Sequence, residues 1–260
     1  MNSGSSLRLG RMFRKESQRS FMVAIDHGLP LGPVAGLVDG LETVKAVAPA
    51  ADAIFVTPGL LARAATSLAY REGPLVVLRT DLWLLDPRVK QSGEALRVLL
   101  DPSQAVRLGA DAVTMLLVLG TDEAAFAENA AQVAKMASEA HLIGIPLIVE
   151  VVGWGSRVTN QLDGELLRYG CRVAAELGAD AVKTPFPESA SQMRSIVESA
   201  GVPVLVLGGA LSDDPEGLIA RSREALGAGA RGLIYGRNVW QAPEPAAMAA
   251  RLASLVHNQS

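Results

Sequence analysis

Lys183 is the residue whose type and position point most directly to chemistry. It stands in the segment GADAVKTPFP, near the end of a short apolar run that predicts a buried strand. Burial favours the neutral form of an amine, and a neutral amine can attack a carbonyl carbon to form an imine. The alternative is a lysine whose stem lies along apolar surface while its ammonium group reaches water, the commoner arrangement for lysines in general.

Acidic and imidazole side chains occur at or near the ends of other apolar runs. Asp26 and His27 follow the run that begins at Phe21. Asp26 either pairs with the ammonium and handles protons and substrate hydroxyls, or caps the following turn. His27 is either a hydrogen-bond donor to substrate or a residue that holds the loop. Glu150 lies two residues before the end of LIVEVV, where it either faces Lys183 or packs outward against a helix.

Two glycine-containing segments indicate a phosphate site. GGALSDDPEG begins at Gly208 and Gly209, and GRNVW begins at Gly236 and Arg237. Glycines let backbone N–H groups approach an anion, a following helix amino terminus adds partial positive charge, and arginine can bind phosphate in a bidentate manner. Glycine pairs alone are equally often plain turns. Their coincidence with an arginine favours phosphate binding.

The elements that must position these residues alternate between short apolar strands and helical stretches, the pattern of βα units around a parallel sheet. Eight strands are predicted, and the length of 260 residues is typical of one (β/α)8 TIM barrel, an α/β fold with its active site at the carboxyl ends of the strands. The predicted strands span 21–26, 53–57, 75–79, 112–118, 147–152, 181–184, 204–208 and 232–236.

A repeated turn supports this count. Two segments are nearly identical, RLGADAV at 107–113 and ELGADAVK at 176–183. Each predicts a helix that ends at a glycine and leads into a buried strand. Thr121 and Ser212 are predicted helix N-caps. Residues 80–104 are interpreted as a long active-site loop with an irregular helix. We expect one domain over 1–260, with 1–20 as an N-terminal capping segment.

Composition excludes several classes of function. The net charge is −3 and no basic cluster follows a helix face, so nucleic acid is not an expected partner. The single cysteine, Cys171, indicates a reducing, cytoplasmic compartment and a packing role. Neither a signal peptide nor a membrane span is predicted. With His141 and His257 in helix ends, the three histidines make no zinc site, so no metal is expected.

The chain resembles the class I aldolase family of archaeal-type fructose-bisphosphate aldolase, aminodideoxyheptulosonate synthase and autoinducer-2 aldolase-like thiolase, within the deoxyribose-phosphate aldolase-like superfamily. The resemblance runs from about Arg8 to the C-terminus. The matching stretches are AIDHG at 24–28, LIGIPLIVE at 142–150, GADAVKT at 178–184, VLVLGGALSD at 204–213 and GAGARGLIYGRNVWQ at 227–241.

The resemblance implies a role for each matching residue. Lys183 becomes the imine-forming lysine, and Asp26 and His27 become substrate-binding and proton-handling groups. The implied phosphate cradle consists of Gly208, Gly209, Gly236 and Arg237. Such aldolases usually carry a tyrosine as proton shuttle in a Tyr-Pro-Arg-Gly segment after the fifth strand. This chain has VVGWGSR there, a form more like the thiolase branch. The residues that could line that part of the pocket instead are Glu150, Trp154, Ser156 and Arg157.

We therefore expect a Schiff-base aldolase or aldol-type synthase that acts on a phosphorylated keto compound without a cofactor. One alternative is acyl transfer from a phosphorylated diketone to coenzyme A. The other is a barrel that only binds a sugar phosphate, with Lys183 as a charged ligand. The resemblance also implies a homo-oligomer, often a decamer of two stacked rings.

Overall fold

The structure, a computed structural model, describes residues 2–83 and 96–257. Within these ranges eight parallel strands close into a barrel in the order β1-β10-β9-β8-β7-β6-β3-β2, which confirms the predicted (β/α)8 TIM barrel. The strands are β1 (Ser20–Ala24), β2 (Ala53–Val56), β3 (Leu75–Arg79), β4 (Asp81–Leu82), β5 (Arg97–Val98), β6 (Ala112–Val118), β7 (Leu147–Val152), β8 (Ala181–Pro185), β9 (Val204–Leu207) and β10 (Gly232–Tyr235).

Helices connect the barrel strands and cover their outer face. They are α1 (Ser3–Arg11), α2 (Gly28–Leu31), α3 (Gly40–Val47), α4 (Pro58–Leu68), α5 (Pro102–Arg107), α6 (Glu123–Ile143), α7 (Gly164–Glu176), α8 (Ala190–Ala200), α9 (Pro215–Gly227), α10 (Arg237–Trp240) and α11 (Pro245–His257). The repeated turn predicted from the sequence is present, with Gly109 at φ 90° and Gly178 at φ 104°. None of the described helices is both long and apolar enough to cross a membrane.

Strand alternation explains why charged residues meet inside this barrel. The smaller of two apolar clusters takes residues from all eight barrel strands and none from helices α3 to α11, so it marks the interior; among its members are Ala24, Val77, Ile148 and Ala181. Because side chains alternate along a strand, the residue two positions later also points inward. Those residues are Asp26, Arg79, Glu150 and Lys183, all of them buried. The pleat thus places four charged groups in one layer at the carboxyl ends of the strands.

Two predicted N-caps need correction, and the predicted loop at 80–104 is described only near its ends. The ends of segment 80–104 form β4 and β5, a short antiparallel pair, and the irregular helix predicted there falls largely on residues outside the described ranges. Asp122 and Asp214 cap α6 and α9 in place of Thr121 and Ser212, since each carboxylate accepts a backbone N–H of the first turn. Each predicted hydroxyl instead donates to a carbonyl of the adjoining cap segment.

Asp52 joins the N-terminal segment, β1 and α11 at the amino-terminal side of the barrel. Its carboxylate accepts hydrogen bonds from the backbone N–H of Phe21 at 2.7 Å and from Nε of Arg14 at 2.7 Å. It also lies 2.8 Å from Nε2 of His257. Burial alone would raise the pKa of Asp52, but these partners hold it below its ordinary value. The ionised carboxylate therefore stabilises the fold.

Replacement of Asp52 by asparagine is expected to lower the free energy of unfolding by about 1–2 kcal/mol at neutral pH, because charge-assisted bonds are lost. A depressed carboxyl pKa contributes stability above the unfolded value, and this contribution is lost as pH falls. The difference from the wild type should therefore shrink below about pH 4 in urea unfolding curves. Glu16→Gln, at an exposed carboxylate, is the control. Equal stability of Asp52→Asn and wild type from pH 7 downward would contradict this account.

Candidate active site

Lys183 lies inside the barrel at the carboxyl end of β8, with 4% of its surface exposed. The register of β7 and β8 pairs it with Glu150, and its Nζ lies 2.8 Å from Oε1 of that residue. The ring of Phe55 lies beneath the amine, with 5.2 Å between Nζ and the ring centroid. The alternative of a lysine reaching water along an outer surface is therefore wrong, and so is the alternative of a glutamate packed outward against a helix.

Arg79 connects the buried carboxylates around this amine. Its Nε donates to Oδ2 of Asp26 at 2.9 Å, and its Nη1 donates to Oδ1 of Asp81 at 3.1 Å. Its Nη2 donates to Oε2 of Glu150. Three carboxylates and two cations thus share one buried layer. The guanidinium spans from β1 to β7 and fixes the positions of the acids on either side.

Electrostatics within the layer keep two of the acids ionised. Burial alone would raise the pKa of Asp26, but Arg79 holds it well below its usual range. Burial acts in the same direction on Glu150, where Lys183 and Arg79 together lower the pKa. For Asp81 the burial effect prevails and its pKa is raised despite Arg79. The guanidinium itself is buried, yet its acidic neighbours raise its pKa well above the ordinary value.

A cleft opens above this layer at the barrel mouth. Its lining includes Lys183 and its charged neighbours, together with Trp154 and the loop residues Gly208, Gly209, Gly236 and Arg237. Asn238 braces the two glycine loops, because its amide donates to the carbonyls of Gly208 and Ala210 at 2.8 Å each, while its Oδ1 accepts the N–H of Ser212 at 2.8 Å. The loop after β9 and the loop after β10 therefore form one rim.

Two features of this rim suit an anion. A Cβ on Gly208 would lie 2.9 Å from the ring of Tyr235, and a Cβ on Gly236 would lie 2.6 Å from Cε1 of His27, so larger residues do not fit without a shift. Arg237 is half-buried, and its Nε lacks a hydrogen-bond partner among the described residues. Burial lowers the pKa of this guanidinium. A partly desolvated guanidinium whose Nε has no described partner, beside glycine loops without room for larger side chains, is an arrangement that can bind an anion.

His27 stands between the rim and the charged layer. Its Nδ1 lies 3.4 Å from Oδ1 of Asp26, which is an electrostatic contact rather than a hydrogen bond. Its ring packs edge-on against Trp240 with 5.4 Å between centroids. Trp240 is in turn fixed by its Nε1, which donates to the carbonyl of Ala24 at 2.9 Å. The imidazole is therefore held at the cleft by Trp240, with its buried Nδ1 facing Asp26.

The structure brings most of the sequence-predicted site residues into one cleft. They are Asp26, His27, Glu150, Trp154, Lys183, Gly208, Gly209, Gly236 and Arg237. Arg157 is not brought there, because its side chain is exposed and it is absent from the lining. Three further residues of the site, Arg79, Asp81 and Asn238, were not predicted from the sequence to have a role. Arg79 carried the same signal as Lys183, a charged residue at the end of an apolar run.

The remaining polar and sulphur-containing candidates lie away from the cleft. His141 and His257 occupy the last turns of α6 and α11. Cys171 is buried in α7, and burial raises the pKa of its thiol to about 12. Among the described residues, no group of three or more His, Cys, Asp or Glu side chains could hold a metal ion.

Comparison with known proteins gives one consistent family. The profile of the DeoC/LacD family aldolases matches residues 20–242. A 2-amino-4,5-dihydroxy-6-oxo-7-(phosphonooxy)heptanoate synthase of Streptomyces griseus is 32% identical over 97% of this chain and 90% of its own. A 2-amino-3,7-dideoxy-D-threo-hept-6-ulosonate synthase of Halobacterium salinarum is 30% identical over 100% of this chain and 94% of its own.

A solved structure matches the whole barrel. It is an archaeal fructose-1,6-bisphosphate aldolase with its catalytic lysine covalently bound to the carbinolamine intermediate of the substrate, and its TM-score is 0.82. The identity is 25%, and the match covers 97% of this chain and 99% of the aldolase. The similarity therefore extends over nearly the full length of both proteins.

Proposed function

Because this chain belongs to the DeoC/LacD family of aldolases, we propose that Lys183 forms the Schiff base of a carbon–carbon lyase that acts on a phosphorylated keto compound. The observation that carries the proposal is the position of the amine. It is buried at the carboxyl end of β8, paired with a carboxylate, and it lines the same cleft as the glycine rim. A TIM barrel holds its chemistry at this face.

The reaction would follow from these positions. The neutral amine attacks the ketone carbon, and loss of water gives an iminium that acts as electron sink. A base takes the proton of the hydroxyl on the β carbon, and the bond between the α and β carbons breaks. Its electron pair moves toward the iminium to give an enamine, and the β carbon leaves as an aldehyde. The resulting enamine takes up a proton, and water then frees the second product. Asp26 and His27 line the same cleft as the amine and would bind substrate hydroxyls, take the proton of the β hydroxyl and return one to the enamine.

The phosphate of the substrate would bind at the rim of Gly208, Gly209, Gly236 and Arg237. Two relatives support a phosphorylated substrate, since one is named for a phosphonooxy compound and another for a bisphosphate. Acyl transfer to coenzyme A is not favoured, because these relatives are named as a synthase and an aldolase. A barrel that only binds a sugar phosphate is not favoured either, because the same relatives are named as enzymes.

Replacement of Arg237 by methionine is expected to raise KM for a phosphorylated ketone about 30- to 150-fold, because one charge-assisted contact to phosphate is worth about 2–3 kcal/mol. The change in kcat should be much smaller, since phosphate stays bound in both ground and transition states. The matched control is Arg231→Met, because that arginine bonds the carbonyl of Gln18 instead of lining the cleft. An unchanged KM in Arg237→Met would place the phosphate elsewhere.

A substrate panel tests the proposed function itself. The full-length protein is assayed for aldehyde release from phosphorylated ketoses and from the same ketoses without phosphate, and for the reverse aldol addition. We expect turnover with at least one phosphorylated ketose and much weaker turnover with its dephosphorylated partner. Product formation that requires coenzyme A, with none in its absence, would contradict a lyase.

The setting of the reaction is also a proposal. A lone cysteine buried in α7 fits a reducing compartment, so we expect a cytoplasmic enzyme of carbohydrate metabolism. We expect a homo-oligomer, with a decamer as the specific expectation. Light scattering coupled to gel filtration measures the number of chains directly, and a monomer at micromolar concentration would contradict this part.

A further inference from the structure

The proton transfers of imine formation have not yet been assigned to a residue. They move protons between the amine, the carbinolamine and water. The chain has three tyrosines, none of which lines the cleft. Tyr70 and Tyr169 are 47% and 56% exposed. Tyr235 is buried and bonded through its hydroxyl to Ser222 at 2.7 Å. A tyrosine therefore cannot serve as the proton shuttle at this amine.

The carboxylates of the buried layer differ in what their oxygens do. Both oxygens of Asp81 have fixed donors, Arg79 on one and the backbone N–H of Leu116 at 2.7 Å on the other. Asp26 is bound by Arg79 and lies beside His27. Glu150 is the acid with an oxygen on the reacting amine, at 2.8 Å, while its other oxygen is held by Arg79.

Charge balance in the buried layer favours transfer of the ammonium proton of Lys183 to Glu150 over its loss to solvent. The layer contains three carboxylates, Arg79 and Lys183, all buried. Loss of the ammonium proton to solvent would leave an additional uncompensated negative charge in a region where charge is costly. Transfer of that proton to the adjacent carboxylate leaves the total charge unchanged. Arg79 cannot take part, because a guanidinium keeps its proton.

We propose that Glu150 is the acid–base catalyst of imine formation and hydrolysis, with Arg79 as the positioning residue that fixes its orientation. This inference rests on the proposed function. Glu150 first accepts the ammonium proton, and the free amine adds to the ketone. The protonated Glu150 gives its proton to the alkoxide oxygen and takes one from the new nitrogen. It then gives that proton to the departing hydroxyl, which leaves as water, and the carboxylate and iminium remain.

The test compares full-length wild type, Glu150→Gln and Glu150→Asp in trapping by borohydride, with dihydroxyacetone phosphate and any ketose phosphate turned over by the wild type as probes. We expect adduct formation in Glu150→Gln to be about 10²- to 10⁴-fold slower, the range for loss of a general acid–base group. Glu150→Asp should recover part of the rate. The dissociation constant for inorganic phosphate should stay within about twofold, because the rim is unchanged.

A purely electrostatic role predicts the opposite result. If Glu150 only paired with the ammonium, its neutralisation would release the free amine more readily, and Glu150→Gln would trap as fast as wild type or faster. That outcome overturns the proposal. Asp180→Asn is the matched control, since it changes a buried carboxylate that bonds Leu147 N–H and His141 away from the cleft. Circular dichroism checks that each variant is folded.

Failure of this inference can be separated from failure of the proposed function. A wild type that traps no phosphorylated ketone contradicts both. A wild type that traps normally, with Glu150→Gln equally fast, contradicts only the role of Glu150. The pH profile adds a second readout, because the part of the fall in trapping rate at low pH that protonation of Glu150 causes should be absent in Glu150→Gln. Within the described ranges, the charged groups around Glu150 are Lys183, Arg79, Asp26 and Asp81, and all remain in that variant.

Discussion

Replacement of Lys183 by arginine is expected to abolish both carbon–carbon cleavage and borohydride trapping. The rate of cleavage should fall about 10⁴-fold or more, because no imine can form. Arginine keeps a positive charge beside Glu150 but has no free electron pair for attack, because its guanidinium does not deprotonate in proteins. The measurement is aldehyde release from a phosphorylated ketose under substrate saturation, with the same samples treated with borohydride.

The arginine variant also provides its own control for folding and binding. Since the charge of the layer is unchanged, binding of inorganic phosphate at the rim should survive while turnover disappears. Lys135→Arg, on α6 with its amine 3.8 Å from Glu139 at the protein surface, should retain full activity. Cleavage by Lys183→Arg at a rate near that of the wild type would mean that another amine, or no amine, carries the reaction.

Replacement of Arg79 by methionine is expected to lower the free energy of unfolding by about 3–5 kcal/mol at neutral pH, because removal of one partner leaves buried charges uncompensated. Arg79 is 7% exposed and binds Asp26, Asp81 and Glu150 at once. Lys183 remains in the layer, but it contacts only one of these acids within ion-pair distance. The measurement is urea unfolding at pH 7 followed by circular dichroism.

The pH dependence of the Arg79→Met effect has a definite sign. In the wild type, the lowered pKa values of Asp26 and Glu150 contribute stability above their unfolded values, and this contribution is lost as pH falls. Without the guanidinium, burial would raise these pKa values, so the variant regains stability when its carboxyls are protonated. The difference between the two proteins should therefore narrow from pH 7 toward about pH 4.

The Arg79→Lys variant keeps the positive charge but loses the guanidinium geometry, so it separates their contributions to stability. One ammonium cannot reproduce the three directed contacts of a guanidinium, so an intermediate stability is expected. A constant difference between wild type and Arg79→Met across the pH range would indicate that lost packing, rather than unpaired carboxylates, causes the effect. In that case the positioning role assigned to Arg79 would also lose its basis.

The barrel could be predicted from the sequence because its signals are local. Each strand is a short apolar run, and the repeated helix-to-strand turn is set by glycine in a left-handed conformation, as at Gly109 and Gly178. The two wrong N-caps show the limit of local signals. A threonine or serine near an aspartate offers two capping groups, and only the backbone path decides that Asp122 and Asp214 accept the first-turn N–H groups.

The site was predictable in outline but not in its contacts. Lys183 stood out as a charged residue in an apolar run, yet the direction of Glu150 depended on the register of β7 against β8. Arg79 had the same local signal and received no role, because its partners come from β1 and β7 and meet only when the barrel closes. Arg157 followed a strand in sequence but is exposed. Sequence position alone does not fix side-chain direction in a loop.

The most direct test of the central claim is the mass of the peptide that carries Lys183 after borohydride reduction in the presence of a phosphorylated ketone that the enzyme turns over. The chain contains five lysines, at positions 15, 45, 90, 135 and 183. We predict one reduced adduct per chain, located on the peptide with Lys183 and absent from the other four. An adduct on another lysine, or an unmodified Lys183 peptide with a ketone that is cleaved, would contradict the account.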